Sequence, residues 1–222
     1  MKYRALIFWS SGKDACLALH RVLQNSSIEV VGLLSTVLEG SHQVGFHGVS
    51  ADLLAAQAQA LGLPLSLVPI PAACPNTEYE NRLSRALKVH QNAGVSHLVF
   101  GDLFLSDIRK YRENFLRPLG FELLFPLWKE DTTQLAHEFI RLKFSALVCG
   151  VDPSRLSNTY LGQPFNEAFL HSLPNHVDPC GENGEFHTFV YDGPLFKNPI
   201  PVTLGTIESD TLSHSIKILL TN

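Results

Sequence analysis

Arg4–His20 reads RALIFWSSGKDACLALH: an apolar run, a five-residue polar loop and a helix-forming stretch, in that order. Ala5, Leu6, Ile7, Phe8 and Trp9 form the continuous apolar run expected of a strand buried on both faces. Ala15, Leu17, Ala18 and Leu19 favour helix, so Ser10-Ser11-Gly12-Lys13-Asp14 falls at a helix N-terminus. Unpaired backbone N–H groups and the positive end of the helix dipole favour an anion there. Gly12 lets the backbone approach it, while Ser10, Ser11 and Lys13 supply hydroxyls and a point charge. Phosphate is the guest this arrangement predicts. A Walker A loop is excluded, because its leading glycine and its final Ser/Thr are replaced here by Ile7 and Asp14. The plain alternative is an ordinary helix start with a solvated lysine.

Strands and helices alternate onward from this unit. Glu29–Thr36 is a β-branched apolar run. Ala51–Leu61 is an Ala-rich helix with Leu54, Ala58 and Leu61 on one face, closed by Gly62 and Pro64. Pro64–Ile70 reads as a third strand, and Asn76 or Thr77 caps a helix to about Asn92. Ser96–Phe100 is a fourth strand that delivers Gly101 and Asp102 to its end. The repeated βα pattern predicts an α/β fold, a parallel twisted sheet with helices on both faces and ligands beyond the C-terminal strand ends. Phe144–Cys149 is one more strand. Beyond it, Pro153, Pro164, Pro174 and Pro179 punctuate the chain, and alternating runs at His187–Tyr191 and Pro201–Ile207 predict a smaller α+β lobe. The expected division is a nucleotide-binding domain over 1–143 and a C-terminal substrate-side lobe over 144–222, packed together.

Composition narrows the classes. With 222 residues, 45% of them hydrophobic, the chain can bury a substantial core. A formal net charge of −4 and the lack of a Lys/Arg-rich run argue against nucleic acid or an anionic membrane as partner. No apolar segment approaches the roughly 18 residues that span a bilayer, so a cytoplasmic protein is expected. The four cysteines form no CxxC pair and are expected to be reduced thiols. Of the ten histidines, His42 and His47 are the only close loop pair, and no HExxH accompanies them. Zinc is not expected.

Three separated segments carry a resemblance. Ser10–Ala15 is similar to the SGGKDS loop of the N-type ATP pyrophosphatases, which split ATP between the α and β phosphates; Ser11 replaces a glycine and Ala15 the final serine. Gly101–Glu113 (GDLFLSDIRKYRE), followed by Pro126-Leu127-Trp128, is the second segment. Gly181–Phe196 is the third, where Glu182, Gly184, Glu185, Thr188, Asp192 and Pro194 fit an EGGE-type signature. Together they resemble the diphthine–ammonia ligase family, in a version that looks bacterial. Characterised members make the final amide of diphthamide on elongation factor 2, a modification of archaea and eukaryotes. Two departures bear on the substrate: His187 stands where a third acidic residue follows the EGGE core, and Leu105-Ser106-Asp107-Ile108 replaces a Ser-Asp-Tyr-Gln-like stretch.

The resemblance implies a HUP-type, adenine nucleotide alpha hydrolase-like fold and an AMP-forming ligase using ATP and Mg²⁺, with ammonia or ammonium and a protein-borne or small carboxylate acceptor as partners. Ser10, Ser11, Gly12 and Lys13 would stabilise the departing diphosphate, and Asp14 would hold the metal unless it is only a first-turn acid. Ser35 and Thr36 would lie near adenosine, and His47 would face ATP or substrate, against plain readings as strand cap and surface histidine. Gly101 and Asp102 would reach ribose or metal. Arg109 would meet the α-phosphate or the substrate carboxylate, unless Arg109, Lys110, Arg112 and Glu113 make a solvated helix face. Glu182 and Glu185 would bind ammonium and accept its proton, with His187 beside them; the alternative is a solvated turn. Two other functions stay open: an ATP- or AMP-binding or hydrolysing module without ligation, and a tRNA-thiolating enzyme, for which Cys180 speaks and the acidic balance does not.

Overall fold

The computed structural model describes residues 2–40, 43–44, 49–209 and 213–221. His42 and His47 lie outside the described residues. The chain begins with β1 (Tyr3–Phe8), α1 (Lys13–Leu23), β2 (Ile28–Leu38), the short β3 (Gln43–Val44) and β4 (Val49–Ser50), α2 (Ala51–Leu61), β5 (Leu65–Ile70), α3 (Asn76–Asn92) and β6 (Val95–Val99). It continues through α4 (Ser106–Leu116), β7 (Glu122–Leu124), α5 (Thr132–Arg141), β8 (Ser145–Val151), α6 (Glu167–Ser172), β9 (Phe186–Asp192), β10 (Val202–Ser209) and β11 (His214–Leu220).

Five strands form a parallel sheet in the order β5-β2-β1-β6-β7. Strand alternation explains why Ala5–Phe8 of β1 is apolar without a break: Ala5 and Ile7 enter the core on one face and Leu6 the core on the other. Leu83 and Leu87 of α3 and Leu116 of α4 cover the Leu6 face. Leu17 of α1 and Leu53 and Leu54 of α2 cover the opposite one. From β1 the chain winds outward through β2 to β5, then returns to the other side of β1 with β6. The sheet therefore has a switch point between β1 and β6, where a crevice opens at the C-terminal strand ends.

A second, antiparallel sheet has the order β10-β11-β8-β9. The Phe144–Cys149 strand of the sequence reading is β8, which belongs to this sheet and does not extend the parallel one. β7 and β11 have no counterpart in the sequence reading: the three residues of β7 are too few for a periodicity to show, and β11 lies beyond the last run read as alternating. Helix α1 is trapped between the two sheets. Lys13, Ala15, Cys16, Leu17, Ala18, Leu19 and Val22 are all buried, and the small residues among them let both sheets come close. Through α1, α2 and α5 one continuous core joins Ala5 and Ile7 to Phe139, Val148, Phe186 and Ile216. Among the described residues, no helix is long and apolar enough to cross a membrane.

Candidate active site

The loop after β1 is held at both ends. Trp9 N–H donates to Leu34 O at 2.8 Å, and the Ser35 hydroxyl donates to Trp9 O at 2.6 Å. Helix α1 begins without a side-chain cap of its own, since its N-cap is Gly12. The Thr188 hydroxyl of β9 supplies that cap instead, accepting Lys13 N–H at 3.1 Å across 175 residues of chain. A Cβ on Gly12 would stand 3.2 Å from Thr188 O, so only glycine leaves that approach unhindered.

A cavity of about 480 Å³ opens at the switch point. Ser10, Gly12, Lys13 and Asp14 form one wall, and Gly101, Asp102 and Arg112 another. Phe8, Leu34, Tyr79 and Phe100 make an apolar end, while Glu182, His187 and Thr188 close the side facing the second sheet. This mixture of an apolar end and a few converging polar groups is typical of a small-molecule site.

Lys13 is 3% exposed, and its ammonium reaches Asp14 Oδ2 at 2.9 Å and the Cys180 carbonyl. Burial works against its charge, but Asp14, Cys180 and Glu182 outweigh that, and its pKa lies above the ordinary lysine value. The Asp14 carboxyl is pushed up by burial, with Lys13 pulling the other way. Its Oδ1 is buried without a hydrogen-bond partner. Burial raises Glu182 to about 7, against the pull of Leu103 N–H at 2.8 Å and Phe104 N–H at 3.4 Å on its Oε1. His187 is lowered to about 4, by burial first and then by Lys13, and is neutral at physiological pH. A fixed cation and a carboxyl poised near neutrality thus share one cavity.

Of the residues singled out from sequence, Ser10, Gly12, Lys13, Asp14, Gly101, Asp102, Glu182 and His187 meet in this cavity. Four others do not line it. The Ser11 side chain is fully buried, with its hydroxyl unpartnered. Ser35 points off the cavity because strand alternation turns its neighbours Leu34 and Thr36 toward it. Arg109 packs its guanidinium over Phe125 and Trp128, 4.5 and 4.6 Å from the ring centroids, and pairs with Glu113. Glu185 is 1% exposed; its Oε1 accepts Asp178 N–H and Asn183 Nδ2.

Residues the sequence reading passed over complete the site. Arg112, one turn beyond Arg109, grips Asp102 through two bonds of 2.7 and 3.2 Å and stacks over Phe100 at 4.5 Å. This bidentate pair engages both Asp102 oxygens and leaves each a further lone pair. Asp178 builds the acidic turn: its Oδ1 accepts Cys180 N–H at 2.9 Å and Glu182 N–H at 3.2 Å, and its Oδ2 takes the Thr132 hydroxyl at 2.6 Å. An Asx-type signal at Asp178-Pro179 was available in the sequence.

Gly101 has a steric reason to be glycine. A Cβ there would stand 2.8 Å from Asp14 C and 2.9 Å from Asp14 O, against backbone that cannot rotate aside. Gly101→Ala is expected to destabilise the protein by about 1–3 kcal/mol, a fall in Tm of about 2–4 °C per kcal/mol, and to displace the phosphate loop. Thermal denaturation with and without ATP checks both effects; an unchanged melting curve in each condition contradicts them.

Asp14 Oδ1 offers a cation one free carboxylate oxygen. Among the described residues, no group of three or more His, Cys, Asp or Glu could hold a metal ion. Magnesium fits that donor set, because it is commonly held by one or two carboxylates together with substrate phosphates.

Residues 2–123 match the model of the diphthamide synthase N-terminal domain, and residues 131–218 that of the diphthamide synthase C-terminal domain. The diphthine–ammonia ligase of Bos taurus is 28% identical over 243 residues, covering 97% of this chain and 86% of its own length. The Homo sapiens protein of the same name is 27% identical over 241 residues with the same coverage. The one from Schizosaccharomyces pombe is 28% identical over 234 residues, which make up 38% of that longer protein. A solved U34-tRNA thiolase from Methanococcus maripaludis overlaps 64% of this chain and 57% of its own with a TM-score of 0.39 and 17% identity, too loose a likeness to bear on function. Since the matched domains fall in order over nearly the whole chain, the protein belongs to the diphthamide synthase family.

Proposed function

We propose that the protein is an ATP-dependent, AMP-forming amide ligase that activates a substrate carboxylate and transfers ammonia to it. The observation that carries this reading is the single cavity in which the Lys13 ammonium, at a helix N-terminus, faces a carboxyl poised near pH 7 at Glu182. The names of the relatives, diphthine–ammonia ligases, support the reaction class.

The chemistry divides between the two sides. An acceptor carboxylate oxygen attacks the α-phosphorus of ATP, the bond to the bridging oxygen breaks, and diphosphate leaves. Lys13, the Ser10 hydroxyl and the Gly12 N–H are the donors for the charge that accumulates on it. Bound at Asp14 and the phosphates, Mg²⁺ would offset further charge. Ammonia then attacks the acyl carbon, the carbon–oxygen bond to AMP breaks, and the proton shed by nitrogen passes to ionised Glu182. Neutral His187 accepts a hydrogen bond beside it. Arg112 takes the role assigned to Arg109 from sequence, meeting the α-phosphate or the acceptor carboxylate. In this reading residues 1–143 hold the nucleotide and 144–222 present the acceptor side, in a cytoplasmic enzyme.

The deciding assay incubates purified protein with Mg-ATP, ammonium chloride and a panel of carboxylates, diphthine-bearing protein among them. AMP and diphosphate are expected, dependent on an acceptor. Release of ADP and inorganic phosphate overturns the reading. ATP binding without turnover would point to the nucleotide-holding module, and tRNA-dependent diphosphate release to thiolation.

A further inference from the structure

Gln57 is wholly buried on α2 and makes three hydrogen bonds that no sequence motif announces. Its Oε1 accepts Trp9 Nε1–H at 2.8 Å, and its Nε2 donates to Ser11 O at 3.0 Å and Val190 O at 2.6 Å. An indole N–H can only donate and the two carbonyls can only accept, so one orientation of the amide satisfies all three groups. Ser11 O also accepts Val190 N–H at 3.1 Å.

The consequence lies on the other side of the same peptide unit. In a trans peptide the C=O and N–H point in opposite senses. With Ser11 C=O fixed toward α2 and β9, the Gly12 N–H is turned the other way, to the cavity that Gly12 lines, where it donates to Ser10 Oγ at 3.4 Å, a long bond that a phosphate oxygen would replace. The conformation is uphill for this residue. Ser11 has a φ of 73°, in the left-handed region that L side chains disfavour, and its buried hydroxyl gains no partner in return. Two donors on one carbonyl hold the Ser11–Gly12 peptide in the orientation this left-handed residue gives it.

We propose that Gln57 is a positioning residue for the nucleotide loop: by holding the Ser11 carbonyl it aims the Gly12 N–H at the phosphate of the nucleotide. The inference rests on the ATP reading above. It adds that α2, which contributes no side chain to the cavity, sets the donor geometry for the departing diphosphate.

Gln57→Met keeps the length and burial, removes the amide donor to Ser11 O and the acceptor for Trp9, and leaves Val190 N–H alone on that carbonyl. Its Kd for Mg-ATP, measured by calorimetry below the melting temperature of either protein, is expected to rise about tenfold or more, roughly 1.4 kcal/mol. Adding Ser11→Gly, which makes the left-handed conformation free of strain, should recover about fivefold of that loss. Gln57→Leu, which is also apolar and carries no donor, should behave like Gln57→Met and serves if the methionine variant does not fold. A merely structural Gln57 would lower Tm and leave the folded protein's Kd within about twofold of wild type; that result overturns the proposal. In the unaltered protein, the Gly12 amide resonance must shift on titration with inorganic diphosphate, and an unmoved resonance overturns it whatever the variants do. Wild-type protein that binds neither ATP nor diphosphate overturns the ligase reading and this proposal with it, whereas normal wild-type binding with undiminished binding in the variants overturns the role of Gln57 alone.

Discussion

Lys13→Met is expected to reduce diphosphate release by at least about 10²–10³-fold, the usual cost of deleting one preorganised donor from a site where negative charge develops. Methionine matches the unbranched stem, so the packing against Phe186, whose ring centroid lies 5.4 Å from the ammonium, survives while the charge goes. Asp14 then loses the cation that opposes its burial and shifts further toward the protonated form. Nucleotide binding should weaken as well, because Lys13 is fixed before any phosphate arrives and costs no reorganisation. Because the lysine pKa is raised, its charge persists across the working range, and no alkaline loss of activity below about pH 10 should trace to it. Single-turnover assays of diphosphate release test this. Turnover within about tenfold of wild type would remove Lys13 from the chemistry.

Glu182→Gln should separate ligation from nucleotide binding. Amide formation is expected to fall about 10²–10⁴-fold, the range for loss of a general base, while the Kd for Mg-ATP stays within a few-fold. In wild type, the ionised carboxyl accepts the proton, so the ligation rate should rise with pH through about 7 and level above it. The linkage to stability runs the opposite way. A carboxyl whose folded pKa is raised binds protons more tightly when folded, so its contribution is greatest below the ordinary carboxylate range and is lost as pH climbs through about 7. The glutamine variant has no such loss. It should melt higher than wild type at pH 8, by about 2–4 °C for a stabilisation of about 1 kcal/mol, and show no such advantage at pH 4. Full ligation in a folded Glu182→Gln protein would return this turn to the solvent-facing reading, with His187 the next residue to replace.

The parts of the site legible from periodicity share one property, that each interrupts an apolar run at a strand end, whereas Glu182 and His187 were legible only through the EGGE-type resemblance. Ser10–Asp14 and Gly101-Asp102 follow β1 and β6 directly, and a parallel sheet gathers such ends at one edge. What the linear order hides is which way each neighbour turns. Ser11 and Gly12 are adjacent, yet a left-handed φ sends the serine into the core and leaves the glycine on the cavity. Glu182 and Glu185 are three apart, but Gly184 with a φ of 85° reverses the chain between them. Arg109 and Arg112 are indistinguishable by type and by helix periodicity; the choice is made by whether Phe100 or the Phe125–Trp128 pair lies beneath. Gln57 was invisible for a further reason, since the Ser11 carbonyl it holds stands 46 residues away; Thr188 was legible as part of the EGGE-type segment but not as the cap of a helix 175 residues upstream. Fold class was readable because periodicity is local. The pairing of β8 was not readable, because an apolar run does not say which strand it will pair with.

The docking of the Ser11–Lys13 loop on β9 has a consequence for how the molecule is made. On the ribosome the amino-terminal half emerges first, and β1, α1 and their neighbours can begin to collapse while the rest is still being translated. Yet Thr188 and Val190, which cap α1 and hold the Ser11 carbonyl, follow only after most of the chain has been polymerised. The final geometry of this loop is therefore among the last features to appear, and under the proposed ATP reading the nucleotide would have no finished site with which to template the half of the protein that carries the loop. Nascent chains stalled before β9 present the glycine-lysine segment with its donors unaimed, so binding competence reports that synthesis has passed that strand.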